Sequence, residues 1–512
     1  VGGSIPPRPI REENMPIEEG GFYDRDPRDF ELKVAIIYPG PYRVAVSSLG
    51  HQTLYFLMNS IDGVMAERFV SDLDGSVESG RPLDEFDIVL ATLHFEGQYP
   101  ELLRMIEGLK KPVLVGGPAV SFNPLPISPL VSAVGLGDFE ALTGEILKVK
   151  DEGVASLPPK FFVYELKNRA KFNRALHLSP LLDQIRVLES GVVLNKFLLE
   201  ISRGCSWGCR FCGIGWHWRP RLDAPMDEVR EAIGYASDLG FREIFIIGSD
   251  AASSKAIKDT LWEIAERGLR ASTPSLRADQ VDSELLDLIG RTGERMITIA
   301  PETGSDRLKG IINKRIDNDE IIRAVEEAKD RGMGHIKLYF MIGLPFEQES
   351  DVIESAELAN KINSILRAKV TLSIFVPKAG TPFELSPLIR ETDFRRRLSI
   401  FWRVYRGKLN ISHYGRAYVQ ALLSLGGFEV SEILKRGYKR PFNRWTYRSI
   451  ARDLGIDSDR IVHGERETPW WDYVDNISKD FIRREYERAK NGWPLLSCDE
   501  FCSKCMTECP IG

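Results

Sequence analysis

The seven cysteines of this 512-residue chain fall into two tight groups, and none lies between Cys212 and Cys498. Disulfide frameworks spread cysteines through small secreted chains, whereas clusters in a long chain point to metal or iron–sulfur ligation in a reducing compartment. The first group lies in Ser202-Arg203-Gly204-Cys205-Ser206-Trp207-Gly208-Cys209-Arg210-Phe211-Cys212, with three and then two residues between the thiols. Three thiolates on one short loop can hold three corners of a 4Fe–4S cluster and leave the fourth iron open to a small molecule. Clusters that only carry electrons use four cysteines, so a loop of three points to chemistry at the cluster. A structural zinc loop and buried free thiols are the competing readings, but zinc usually gathers four ligands in two separated pairs. The second group, Cys498, Cys502, Cys505 and Cys509, reads as a second metal centre. An Fe–S cluster, a single iron and zinc all remain open there, because thiolates bind each of them.

A chain of this length is expected to divide into about three domains. Its hydrophobic content of 43% and formal charge of −6 are ordinary for a globular protein. No run approaches the ~18 apolar residues of a membrane span, and no secretory signal pattern opens the chain. A cytoplasmic protein with no membrane partner is expected. Residues 1–32 are polar and proline-bearing and read as an arm.

Residues 33–160 read as a Rossmann-like domain. Strands are expected at Lys33–Gly40, Phe86–Thr92, Pro112–Pro118 and Val131–Gly137, with helices at Gly50–Asn59 and 98–109. Apolar strands that alternate with helices and end in glycine turns imply a doubly wound parallel sheet, with ligands bound beyond the carboxyl ends of the strands. The candidate binding residues in those turns are Pro39, Ser47, Leu49 and Gly50, then His94, then Gly116 and Gly117, then Gly137, Phe139 and Glu140. The first strand is not followed by GxGxxG, which argues against a dinucleotide.

After a linker at 161–195, residues 196–390 alternate strand and helix again. Strands are expected at Lys196–Ser202, Glu243–Gly248, Thr273–Arg277, Met296–Ala300, His335–Ile342 and Lys369–Val376. Six such units fit a partial (β/α)6 barrel, with active groups at the carboxyl ends of its strands. The first strand delivers the cysteine loop to that end.

The cysteine loop, with Phe211 before its last thiol, resembles the signature of the radical S-adenosylmethionine superfamily. The resemblance implies that the open iron is chelated by S-adenosylmethionine, which is cleaved to a 5′-deoxyadenosyl radical. Gly248-Ser249-Asp250 then stands where the family has Gly-Gly-Glu, a departure, and would meet the methionine amino group. Arg277 would pair with the methionine carboxylate, which suits a guanidinium fork. Glu302, in Ala300-Pro301-Glu302-Thr303-Gly304, would take the ribose hydroxyls, and the backbone at Ile342 would lie against adenine. The Val-Gly-Gly-Pro and Gly-Leu-Gly-Asp-Phe-Glu turns of the first domain resemble those of cobalamin-binding domains that precede such barrels. The Asp-x-His-x-x-Gly that gives cobalt a histidine in other cobalamin proteins is missing, and the resemblance implies cobalamin held with no such histidine, as is common in the family. His51 and His94 lie in turns from which they could approach the corrin, although a lone histidine is more often structural.

Together these features are similar to those of cobalamin-dependent (class B) radical S-adenosylmethionine methyltransferases. The resemblance implies an anaerobic enzyme that uses methylcobalamin to methylate an unactivated sp3 carbon, with ferredoxin or flavodoxin as electron donor. A peptide or protein substrate is expected, as a post-translational modification. Within the family the layout is similar to that of archaeal enzymes that methylate a glutamine Cα of methyl-coenzyme M reductase. Residues 391–512 read as a helical domain ending in the four-cysteine site. Between Arg390 and Ser449 it carries fourteen Lys or Arg against four Asp or Glu, interleaved with Trp402, Tyr405, Tyr414, Trp445 and Tyr447. That pattern allows RNA as the substrate of the same chemistry, or a non-catalytic nucleic-acid module. It equally fits a solvated helical face paired with the acidic arm.

Overall fold

A computed structural model describes residues 8–9, 18–20, 26–187, 195–464, 467–495 and 505. The first domain is a six-stranded sheet in the order Val64–Val70, Leu32–Tyr38, Ile88–Thr92, Val113–Gly116, Ala133–Gly135, Phe161–Phe162. The first five strands are parallel and the last is antiparallel. Leu32–Tyr38 pairs with its successor Val64–Val70 on one side and with Ile88–Thr92 on the other. The chain therefore reverses its winding between the ends of Leu32–Tyr38 and Ile88–Thr92, and a crevice opens there.

Val64–Val70 was not expected as a strand. It is buried along its whole length although it contains Glu67 and Arg68. Arg81 Nη1 donates to Glu67 at 2.8 Å and Arg68 Nε donates to Glu78 at 2.6 Å, so neither charge is stranded.

The barrel is made of two sheets. One runs Leu222–Asp223, Phe197–Arg203, Glu243–Gly248, Arg270–Ser272, and the other Met296–Glu302, His335–Ile342, Ala368–Ile374, Leu409–Ile411. They are joined where Leu276 bridges Ile299. The third strand thus lies at Arg270–Ser272, before the expected Thr273–Arg277. Leu409–Ile411 adds a parallel strand from beyond the expected boundary at 390, so the barrel is larger than six units. His335–Ile342 alternates buried and half-buried residues, the period of a strand with helices on one face.

The expected arm and linker carry structure of their own. Arg8–Pro9 and Glu18–Gly20 form an antiparallel ribbon with Arg186–Val187. Ala170–Lys171 pairs with Val474–Asp475. The helices of the last domain include Glu391–Val404, Tyr414–Leu425, Arg444–Asp453 and Lys479–Lys490. Several of the basic groups there pair with acids of the other domains and of their own. Arg397 meets Glu347 at 2.8 Å, Arg396 meets Glu349 at 3.1 Å, Lys439 meets Glu107, and Arg444 meets Glu391. Cys498, Cys502 and Cys509 lie outside the described residues; Cys505 is buried. No helix is long and apolar enough to cross a membrane among the described residues.

One hydrophobic core runs through all three parts, from Val89 and Leu199 to Leu422 and Trp470. At the junction, Glu96 of the sheet domain accepts from Lys378 Nζ of the barrel at 2.5 Å and from Gln420 Nε2 of the helical domain at 3.1 Å.

Candidate active site at the barrel mouth

The strand Phe197–Arg203 ends at Gly204, whose φ is +81°. A Cβ there would lie 1.9 Å from the Trp218 carbonyl oxygen, so only glycine permits this turn into the cysteine loop. Cys209 is buried, and Cys205 and Cys212 are half-buried. The Cys209 thiol points at the Asn313 carbonyl at 3.8 Å, and Gly215 N–H donates to Cys212 Sγ at 3.4 Å. Burial pushes the Cys205 thiol up, with the charges of Asp250 and the other cysteines adding to it. Burial likewise pushes the Cys212 thiol up to about 11. Iron would displace those protons as it binds. Among the described residues no three His, Cys, Asp or Glu side chains surround a point suited to one metal ion. A 4Fe–4S cluster instead takes one thiolate on each of three irons, and the loop offers three.

Buried cations fix the loop from behind. Arg210, wholly buried, donates to Glu485 Oε1 at 2.8 Å and to the Gly310 and Ile311 carbonyls at 3.0 and 2.7 Å. Arg219, also buried, donates to the Gly215 and Trp207 carbonyls at 2.6 and 2.9 Å and reaches Cys505 Sγ at 3.5 Å. Trp216 lies under Arg219 and donates from Nε1 to the Cys209 carbonyl at 2.9 Å. Neighbouring His217 is buried and engaged by Ala379 and Asn476, a structural role.

Asp250, at the end of Glu243–Gly248, is 4% exposed. Its Oδ2 faces Arg221 at 3.4 Å, and its Oδ1 is buried with no hydrogen-bond partner among the described residues. An orphaned carboxylate oxygen beside Cys205 fits a cationic donor such as an ammonium group. Ser249 lines the cavity described below. Gly248 clears Ser202, whose Oγ would be 2.5 Å from an added Cβ, so its small size serves strand packing.

Glu302 ends the strand Met296–Glu302 at φ +67°, a costly conformation for a non-glycine residue that often marks a functional position. Its Oε1 lies 3.5 Å from Lys314 Nζ. Burial raises the Glu302 carboxyl above its usual range against the pull of Lys314. Burial opposes the Lys314 charge, but Glu302 and Cys209 outweigh it and hold the ammonium above its usual value. Lys314 is a cation near the thiol loop that no motif marks in the sequence.

Arg277 corrects an expectation. Asp279 takes its Nε and Nη2 at 3.0 and 2.9 Å, the Arg315 carbonyl takes Nη2 at 3.2 Å, and the guanidinium lies 3.7 Å from the Trp207 ring centroid. It braces the loop, and its fork is engaged within the protein. Phe211 packs against an apolar cluster that includes Leu308, Ile312 and Leu344. Ile342 is buried, and its carbonyl accepts from Phe375 N–H at 3.0 Å.

A cavity of about 380 Å³ separates the sheet domain from the barrel mouth. Leu49, Gly50, His94, Gly116, Gly117, Gly137, Phe139 and Glu140 line it from the sheet side, as their turns imply. Gly204, Ile214, Trp218, Ile247 and Ser249 line it from the barrel side. Pro39 and Ser47 are not in its lining: Pro39 offers its carbonyl to Gln98 at 3.4 Å, and Ser47 bonds the Arg43 carbonyl. Gly137 is required by packing, since a Cβ would lie 1.9 Å from the Asn173 carbonyl oxygen. Glu140 is taken by Arg203 at 3.0 Å, and Arg203 also meets Glu200 and Asp138. His51 is buried, and both its ring nitrogens lack a hydrogen-bond partner among the described residues.

Residues 199–359 match the radical SAM superfamily, and residues 50–160 match the N-terminal region of radical SAM proteins. Residues 199–359 are therefore a radical SAM domain, whose cofactors are a 4Fe–4S cluster and S-adenosylmethionine. An uncharacterised protein of Methanocaldococcus jannaschii is 29% identical over 367 residues, covering 69% of this chain and 79% of its own. The cytidylyl-2-hydroxyethylphosphonate methyltransferase of Streptomyces wedmorensis is 31% identical over 152 residues, 29% of this chain and 28% of its own. In fold, the chain is similar to the radical S-adenosylmethionine methyltransferase TsrM of Kitasatospora setae, solved with cobalamin and a [4Fe–4S] cluster bound. The TM-score is 0.53 at 13% identity, over 82% of this chain and 99% of that one.

Proposed function

We propose that the protein is a cobalamin-dependent radical S-adenosylmethionine C-methyltransferase. One observation carries the proposal: the cavity is walled on one side by the crevice turns of the sheet domain and on the other by the strand end that bears the cysteine loop. A large flat cofactor held there would lie beside Gly204 and Ile214, which flank the cysteine loop. The relatives named as methyltransferases, one of them solved with cobalamin, support the same reading.

When bound, the cluster and S-adenosylmethionine supply a carbon radical and cobalamin supplies the methyl group, chemistry that an sp3 carbon without an acidic proton requires. The chain's own residues position these groups. Cys205, Cys209 and Cys212 hold the cluster. Asp250 Oδ1 accepts from the methionine ammonium, Lys314 pairs with the methionine carboxylate, and Glu302 accepts from the ribose hydroxyls. The apolar faces of Leu49, Phe139, Ile214 and Trp218 keep water from the cavity.

The substrate we propose is an unactivated carbon of a peptide or protein, with the glutamine Cα of methyl-coenzyme M reductase as the first to try. The ion pairs of Arg396, Arg397, Lys439 and Arg444 occupy part of the basic tail and weigh against RNA. The test is anaerobic turnover of reconstituted protein with candidate peptides, read by mass spectrometry. One added methyl per peptide, together with 5′-deoxyadenosine, is expected. A Cys205→Ala variant that still releases 5′-deoxyadenosine overturns the assignment.

A further inference from the structure

The cavity's sheet-side wall contains one side chain able to ligate a metal through nitrogen, His94. It follows Ile88–Thr92, one of the two strands between which the winding reverses. The ring is tethered on one edge only. Nε2 lies 3.0 Å from Ser48 Oγ, while Nδ1 makes no hydrogen bond to the described residues. Ser48 is itself fixed, since it caps the helix Leu49–Asn59 and accepts from His51 N–H at 3.4 Å. The hydroxyl thus has a lone pair for an Nε2–H donor, which leaves the Nδ1 lone pair free. Metal-bound histidines commonly donate their other N–H in this way.

The backbone behind the ring is equally fixed. His94 N–H donates to Gln98 Oε1 at 2.7 Å, and Glu96, two residues on, is clamped by Lys378 and Gln420. Gly50 contributes no side chain between the ring and the crevice; an added Cβ would sit 3.7 Å from His94 Cε1. Burial lowers the imidazole's proton affinity, which favours the neutral ring that can ligate.

We infer that His94 Nδ1 ligates the cobalt of cobalamin from the sheet side, with Ser48 as its positioning residue; this rests on the cobalamin reading above. A histidine from a loop after the third strand in sequence to carry ordinary parallel pairing would do here what the missing Asp-x-His-x-x-Gly does elsewhere. His51 supplies an internal control, because it is buried beside Tyr38 and is not part of the cavity lining.

The test uses the full-length protein loaded with hydroxocobalamin and reduced mildly to cobalt(II), with the iron–sulfur cluster left oxidised. Electron paramagnetic resonance should show each high-field cobalt line split into a triplet by one nitrogen. In protein grown with 15N-histidine the triplets should become doublets. His94→Ala should retain corrin absorbance and lose the histidine splitting, while His51→Ala should keep it. Unsplit lines in the wild type overturn the inference. Triplets unchanged by 15N-histidine overturn it too, since the nitrogen is then the cofactor's own benzimidazole. Doublets that persist in His94→Ala assign the ligand to another histidine. Wild-type protein that retains no corrin absorbance overturns the cobalamin reading itself, so the two failures are distinct.

Discussion

Across the cavity the two walls differ in what holds them. The cysteine loop is braced by charge removed from water: Arg210 on Glu485, Arg219 on two loop carbonyls and Cys505, and Lys314 beside Glu302. The turns of the sheet domain are held mainly by strand pairing and packing, and they present small or apolar residues such as Gly116, Val115 and Leu49. The difference follows from what each wall must hold. Thiolates on iron carry a charge that needs fixed cations and dipoles close by. A broad organic cofactor needs area and space, supplied by glycines and aliphatic side chains.

The contrast can be broken from the charged side first. Glu485→Ala leaves Arg210 buried without its counter-charge, which costs about 3–5 kcal/mol for such pairs. A lowered Tm and loss of cluster iron are expected, measured by calorimetry and iron analysis, with corrin retention in the surviving folded fraction unchanged. Asp250→Asn removes a charged acceptor worth about 1.5–3 kcal/mol. S-adenosylmethionine binding by anaerobic calorimetry should weaken roughly ten- to hundredfold, with iron content intact.

On the other wall, Gly116→Val places a side chain where the nearest neighbour of an added Cβ is the Gly135 carbonyl at 3.8 Å. Filling the space should reduce corrin retention about tenfold, in line with overpacking costs of about 1–3 kcal/mol, and leave the iron in place. The smallest effect belongs to Glu294, which precedes the strand Met296–Glu302 at the barrel's opposite end. Burial outweighs two hydrogen bonds from Thr273 and raises its carboxyl from 4.5 to about 7. The folded chain then binds this proton more tightly than the unfolded chain. The stabilisation is complete below about 4.5 and is lost as pH rises through about 7. Tm should fall between about pH 5 and pH 8, and less so in Glu294→Gln.

The cysteine loop was legible in sequence because its chemistry is local: three thiols on one turn need no distant partner to be recognised. The glycine turns were legible for the same reason, and their strand ends do line one cavity. Lys314, Arg210 and Arg219 were not, since each acquires meaning only from a partner brought close by folding, as Glu485 is to Arg210. Val64–Val70 was hidden by Glu67 and Arg68, which break the apolar run but are neutralised inside the fold. Leu409–Ile411 has three residues, too few for a period of two to stand out. Arg277 misled because a guanidinium fork suits a neighbouring aspartate as well as a ligand carboxylate.

The joint at Glu96 bears on how a bulky cofactor would enter and leave. Swinging the sheet domain away from the barrel would strip this carboxylate of both Lys378 and Gln420 and pull Asn123 from the Ser424 and Gly426 carbonyls. One hydrophobic core continues through the joined parts, so the swing would also expose apolar surface. The door is bolted from three sides at once. Exchange of the occupant should therefore be far slower than turnover, and its rate should track the stability of this joint more closely than the affinity of the site.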